Sequence, residues 1–232
     1  MKITVAGLNI EIQNRYDHIV GLAKDYLTDS DKVDMTVFAT EEELDLEAEK
    51  SSAEHGRAYL ESIVVYRKIA EQLPSFDAYV LHGAVLAMDG AAYVITARSG
   101  VGKTTHIRLW RRAFGESVHV LNGDKPIIRF IDGVPYACGT PWRGKENYGV
   151  PEMLPLRGIG FLERSEKSRA EAATVADSTI RLVSQMYIPK DRMNALRALG
   201  LADKTLKRVR LVNIFADMSE EAARASQKAL TE

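Results

Sequence analysis

The sequence predicts an α/β fold: a phosphate-loop core built on a mixed sheet, with an N-terminal α+β appendage and C-terminal helices. Three observations lead there. Short apolar runs broken by two-residue turn signals fill residues 78–162. A glycine-rich loop separates a strand run from a helical run at 96–105. Helical apolar spacing dominates both flanks.

In order along the chain, Ile3 to Ile12 alternates around Gly7-Leu8-Asn9 and reads as a hairpin. Tyr16 to Leu27 has helical spacing in Ile19, Leu22, Ala23 and Tyr26, and Val33–Phe38 reads as a strand. The acidic run Glu41, Glu42, Glu43, Asp45, Glu47, Glu49 reads as a solvated helix face. Ala58 to Leu73 is an amphipathic helix stopped by Pro74, which divides an appendage at 1–73 from a core at 74–232. Ala78–Leu81, Ala84–Met88 and Ala91–Ile95 are strand runs, with a turn at Asp89-Gly90. A helix over Thr104–Phe114 ends at Gly115. Ser117–Leu121, Ile127–Ile131, Pro135–Cys138 and Ile159–Leu162 continue the strands, Asp132-Gly133 marks another turn, and Gly139–Met153 is a loop. In the tail, Asp177 or Ser178 caps one helix. Met193, Leu196 and Leu199 mark a second, with Gly200 after it. Val209–Phe215 is a strand, and Ser219 caps a last helix.

Composition removes several classes. The 31 Lys+Arg nearly balance the 32 Asp+Glu, against a nucleic-acid binder. The basic cluster Lys204, Lys207, Arg208, Arg210 reads as solubilising. The single Cys138 excludes an intrachain disulfide and fits a reducing compartment. No uncharged apolar run has the length of a membrane span, and Glu11 follows the N-terminus too soon for a signal peptide, so a cytoplasmic location is expected.

The segment Thr96-Ala97-Arg98-Ser99-Gly100-Val101-Gly102-Lys103-Thr104-Thr105 follows a strand run and opens a helix. Small residues let successive backbone N–H groups converge on phosphate oxygens, and the helix N-terminus adds positive potential. Arg98 to Thr105 are therefore the expected nucleotide-binding residues. Lys103 is placed to reach the β- and γ-phosphates, and Thr104 to offer its hydroxyl to Mg²⁺. The first glycine of the G-x-x-x-x-G-K-[ST] pattern is Ala97. No Asn-Lys-x-Asp guanine-reading motif is present, which disfavours a GTPase.

His82 lies 21 residues before Lys103 and Asp124 21 after it. If the strand ending at Leu121 pairs with the one feeding the loop, Asp124 sits beside the phosphates. There it can hold Mg²⁺ or accept the proton of an attacking hydroxyl, with His82 holding it in place. Gly139-Thr140-Pro141-Trp142-Arg143-Gly144-Lys145-Glu146 is the third constellation. Arg143 and Lys145 are candidates for phosphate or substrate contacts and Trp142 for a wall of the site. Glu146 or Glu152 could complete a metal site.

On these residues the chain resembles the catalytic domain of HPr kinase/phosphorylase, in the P-loop group that includes phosphoenolpyruvate carboxykinase. The resemblance rests on His82-Gly83, Ser99–Thr104, Asp124 and Arg157-Gly158-Ile159-Gly160, spanning roughly residues 78–163. It implies that His82, Lys103 and Asp124 are active-site residues, with Asp124 as general base towards a serine hydroxyl and Thr104 on magnesium. Gly123 stands where the family has the first of two aspartates, and Pro155 where it has a metal-binding Glu.

The expectation is an ATP- and Mg²⁺-dependent kinase that phosphorylates a hydroxyl of a small molecule or of a peptide Ser/Thr. GTP and pyrophosphate are not excluded as donors. The alternative is a nucleotide-binding regulatory module with little or no turnover. The expected partners are nucleotide and acceptor, without nucleic acid or membrane; assembly into a homo-oligomer stays open.

Overall fold

A computed structural model of the chain describes residues 1–50 and 54–232. Strands β1 (Lys2–Val5) and β2 (Leu8–Ile12) pair antiparallel, and β3 (Met35–Val37) joins β2 in parallel. The hairpin turns on Ala6-Gly7, both with positive φ, one step earlier than the sequence pattern suggests. The helix expected over 16–27 is broken into α1 (His18–Leu22) and a 3₁₀ turn at Lys24–Tyr26, which turns Tyr26 inward.

The acidic run forms α2 (Glu41–Lys50). Thr40 and Glu43 exchange backbone-to-side-chain bonds at its start, a capping box. Its acidic face is not simply solvated. Glu47 takes a two-bond fork from Arg67 at 2.7 and 2.8 Å, and Glu43 pairs with Lys68 at 2.7 Å. Both partners lie on α3 (Arg57–Gln72), whose Leu60, Val64, Val65 and Ile69 face the core. That core runs past Pro74: Ile3, Ile10, Leu60 and Val64 pack in one cluster with Ala78, Val80, Ile127 and Trp142.

Among the described residues nine strands make the main sheet, beginning with β4 (Ala78–Val80), β5 (Ala84–Met88) and β6 (Ala91–Thr96). Helix α4 (Lys103–Phe114) follows β6. Next come β7 (Val118–Asn122), β8 (Ile127–Ile131), β9 (Val134–Cys138), the long β10 (Met153–Arg164) and β11 (Arg169–Ala172). Helices α5 (Val175–Val183) and α6 (Arg192–Leu206), strand β12 (Arg210–Ala216) and helix α7 (Glu220–Thr231) complete the chain. Asp89-Gly90 and Asp132-Gly133 are the positive-φ turns of the β5–β6 and β8–β9 hairpins.

The central strand is β10. Met153–Pro155 pair antiparallel with β9, while the rest pairs in parallel with β6 on one side and β12 on the other. The period-2 alternation of β5 and β6 then sorts two cores. Ala84, Leu86, Tyr93 and Ile95 pack against α4 and α7, and Val85, Ala87, Ala92 and Val94 against the α5–α6 side.

In the tail, Thr174 caps α5 by accepting from the Asp177 N–H, so neither Asp177 nor Ser178 is the cap. α6 continues through Gly200 to Leu206 and buries Ala198, Leu201, Ala202, Thr205 and Leu206. Met193, Leu196 and Leu199 lie on its exposed side, while Thr205 on the buried side accepts from the Tyr79 hydroxyl at 3.0 Å. The Ser219 hydroxyl donates to Asp217 rather than capping α7. No described helix is long and apolar enough to cross a membrane.

The Gly158-Ile159-Gly160 segment of β10 has a packing role. A Cβ at Gly160 would fall 2.3 Å from Ile214 Cδ1, and one at Gly158 2.8 Å from Leu230 Cδ2. These glycines let β12 and α7 close onto β10. Gly160→Ala should therefore destabilise the fold by about 1–3 kcal/mol, the usual range for overpacking. A urea-unfolding midpoint equal to that of the wild type would contradict this packing account.

Candidate phosphate-binding site

The loop between β6 and α4 spans residues 97–102. Gly100 and Gly102 take φ of +79° and +118°, conformations that a side chain resists. Gly102 opens α4 with no side-chain cap, so the first N–H groups of the helix have no partner from a capping side chain. Arg164, at the end of β10, donates to Gly100 O at 2.7 Å and Val101 O at 3.0 Å. In a trans peptide N–H and C=O point opposite ways. Fixing these two carbonyls on Arg164 therefore turns the N–H groups of Val101 and Gly102 to the other side of the loop, where the Val101 N–H donates to Arg98 O at 3.4 Å.

Lys103 folds back across the loop and donates to Ala97 O at 3.1 Å. Burial lowers the pKa of its ammonium, with the Asp124 carboxylate pulling the other way. Thr104 and Thr105 are half-buried beside it, and Arg98, Ser99 and Gly100 are exposed at the tip.

Asp124 reaches this loop by an unexpected route. β7 does not pair with β6; β5 lies between them, antiparallel to both. Ala84 at the start of β5 therefore faces Ile95 near the end of β6, and Val85 faces Asn122 at the end of β7. The His82-Gly83 entry to β5 is tied to both neighbours: Thr96 Oγ1 donates to His82 O at 2.8 Å, and Gly83 N to Asp124 O at 3.0 Å. His82 Nε2 then lies 3.3 Å from Asp124 Oδ1, while its Nδ1 lies 3.1 Å from Gln185 Oε1. Asn122 Oδ1 accepts from the N–H groups of Asp124 and Lys125 and fixes the turn. Lys125 Nζ donates to Asp124 Oδ2 at 2.5 Å. Burial pushes the Asp124 carboxyl up, but the His82 and Lys125 bonds and charges outweigh it and hold it at about 2.

The 139–149 loop packs its backbone on this carboxylate. A Cβ at Gly144, where φ is +75°, would lie 2.8 Å from Asp124 Cβ, so a side chain there would displace Asp124. Its side chains mostly turn elsewhere. Trp142 does not wall the site. It is buried, stacks on Tyr66 with ring centroids 4.1 Å apart, and donates to Ser62 O at 2.9 Å. Arg143 is drawn to the N-terminal layer, pairing with Asp25 at 2.8 Å and lying over the Tyr26 ring. Glu146 pairs with Arg108 of α4 at 2.6 Å, and Glu152 with His119 at 2.8 Å. Lys145 is exposed, with no ion-pair partner among the described residues.

No group of three or more His, Cys, Asp or Glu converges as a metal cage among the described residues. The donors at hand are the Asp124 carboxylate and the Thr104 hydroxyl. That set suits Mg²⁺ carried largely by phosphate oxygens, which asks for one or two carboxylates from the protein. Sequence reasoning missed Arg164, Gln185, Asn122 and Lys125. For Arg164 the signal was present, as a basic residue two positions beyond an expected strand whose carboxyl end belongs to the ligand-binding edge.

No protein-family model matches the chain. No curated protein matches it either. Among solved structures, the HPr(Ser) kinase/phosphatase from Coxiella burnetii superposes at a TM-score of 0.36 with 11% identity, over 64% of this chain and 94% of that one. At this distance no residue role is carried across.

The depressed Asp124 pKa has a pH consequence. Its folded value lies below the ordinary 3.8, so its contribution is complete above pH 3.8 and is lost as pH falls through about 2. The contribution is about 2 kcal/mol. Urea unfolding between pH 5 and about pH 2 should show this loss in the wild type and a flatter profile in Asp124→Asn. Parallel profiles would show that Asp124 is not so held.

Proposed function

We propose that the chain is a Mg²⁺-dependent phosphotransferase that moves the γ-phosphoryl group of ATP to a hydroxyl, on a small molecule or a peptide Ser/Thr. One observation carries the reading: Asp124, held by His82, stands at the same sheet edge as the glycine loop and Lys103. Phosphoryl transfer needs little covalent help and is driven by positioning and charge stabilisation. The loop N–H groups and Lys103 would hold the phosphates, the ammonium exchanging a neutral carbonyl partner for an anionic one. Bound Mg²⁺, held by Thr104 and Asp124, would neutralise charge on the phosphate oxygens. Asp124 Oδ would accept the hydroxyl proton. A low-pKa carboxylate suits a proton that becomes acidic only as the new O–P bond forms. His82 would fix the carboxylate's direction, and the exposed Lys145 would meet the acceptor.

A second reading has its own observation. The Lys125 ammonium already occupies Asp124 Oδ2, which would suit a module that binds nucleotide with little turnover.

Lys103→Ala should abolish or sharply weaken Mg-nucleotide binding while the chain stays folded. Unchanged calorimetric binding of MgATP, MgGTP and pyrophosphate would sink the site. If Asp124 acts as the base, Asp124→Asn should keep nucleotide binding and slow label transfer from γ-labelled ATP to a metabolite or peptide pool by about 10²–10⁴-fold; if it mainly holds Mg²⁺, the same change should weaken Mg²⁺ dependence and nucleotide binding together. Binding without any transfer by the wild type would leave the second reading standing instead.

A further inference from the structure

A groove of about 330 Å³ opens beside the phosphate loop, outside the carboxyl ends of β10 and β12. Much of its lining is apolar, with Val101 and Leu109 from the loop and α4, Leu162 from β10, and Ala216 and Met218 from the end of β12 and just beyond it, while Thr105, Glu163 and Ser165 add polar groups. Met218 is 79% exposed, an apolar side chain standing free at the rim. In open sheets with parallel strands, ligands lie in the crevice outside the strand carboxyl ends.

Two polar features of the groove are unfinished. Asp217 is held rigidly through one oxygen only: Oδ1 accepts from Ser168 Oγ at 2.6 Å and from the Ser219 N–H at 2.9 Å. Its Oδ2 has no partner among the described residues and is an open acceptor. His106 also lines the groove. It is buried, and its Nε2 lies 2.9 Å from Ser226 Oγ. Its Nδ1 is buried without any hydrogen-bond partner. A buried polar atom that the chain leaves unsatisfied calls for an explanation.

Arg164 joins the groove to the phosphate loop. It lines the one and, through Gly100 O and Val101 O, positions the other. A ligand with a flat apolar part, donor groups and a phosphate chain would span both.

We infer that this groove binds the nucleoside of a nucleoside triphosphate whose phosphates lie on the 97–105 loop, with Asp217 Oδ2 accepting from a nucleoside O–H or N–H, so that the phosphoryl donor is a nucleotide and not inorganic pyrophosphate. This rests on the phosphate-loop reading above. The base stacks on the apolar walls, and Arg164 communicates its presence to the loop that holds the phosphates.

Calorimetry with two probes, MgATP and Mg-tripolyphosphate, separates the two readings. The wild type should bind MgATP at least about 10-fold more tightly, the worth of one charge-assisted hydrogen bond together with stacking. Leu109→Trp, which fills the groove, should bring the two ligands within about twofold of each other and leave tripolyphosphate binding unchanged. Asp217→Asn, which keeps the Oδ1 acceptor, should weaken MgATP alone by about 3–10-fold, and reads the same contact if the bulkier variant does not fold. Equal wild-type affinity for both ligands, or variants that weaken both equally, would overturn the groove assignment. If neither ligand binds the wild type, the phosphate-loop reading itself fails.

Discussion

Strand β5 runs antiparallel to both of its neighbours, and the geometry of the candidate site follows from that reversal. A strand inserted in the opposite direction places its own start beside the ends of the strands on either side. His82-Gly83 is thereby set between the end of β6, which feeds the glycine loop, and the end of β7, which delivers Asp124. Two hydrogen bonds, Thr96 Oγ1 to His82 O and Gly83 N to Asp124 O, fasten the three strand ends together. Lys103 and Asp124, 21 residues apart in sequence, come close enough for the carboxylate to act on the ammonium.

In the resting site the Asp124 carboxylate is neutralised and the Lys103 ammonium is not. Lys125 and His82 share the Asp124 carboxylate, and Lys103 rests on a backbone carbonyl. An incoming phosphate chain would meet one cation with only a neutral partner to give up, and a loop whose carbonyls Arg164 already holds aside. Most charges of the 139–149 loop are committed elsewhere: Arg143 to Asp25, and Glu146 to Arg108. What this loop brings to Asp124 is backbone shape, with Gly144 fitted against it. Through Trp142 and Arg143 the same loop is fastened to Tyr66 and Asp25 of the N-terminal segment.

Local signals were legible in the sequence. The glycine loop between strand and helix, the Asp-Gly turns and the amphipathic α3 stand where the pattern puts them, because each depends on neighbours within a few residues. Non-local partnerships were not. Nothing near Trp142 reveals that Tyr66 is its stacking partner, and an aromatic in a glycine-containing loop looks the same whether it faces ligand or core. The apolar spacing of Met193, Leu196 and Leu199 marks a helix without telling which face it buries. The buried face carries Ala198, Leu201, Ala202 and Thr205, with Thr205 bonded to Tyr79, and of these four only Leu201 is a large apolar residue. The position of Asp124 was anticipated through a pairing of β7 with β6, whereas the real route passes through β5. Arg157-Gly158-Ile159-Gly160 looked like a family marker, and its glycines serve close packing against Ile214 and Leu230.

The central claim is that one triphosphate end meets Lys103, the loop N–H groups and Asp124 together. A crystal structure with Mg²⁺ and a non-hydrolysable ATP analogue measures this directly. The expected result is a γ-phosphate about 3 Å from Lys103 Nζ, with Asp124 Oδ within direct or single-water reach of it and His82 still on Asp124. A triphosphate bound away from the 97–105 loop, or bound there with Asp124 on the far side of the sheet edge from its γ-phosphate, would contradict the account.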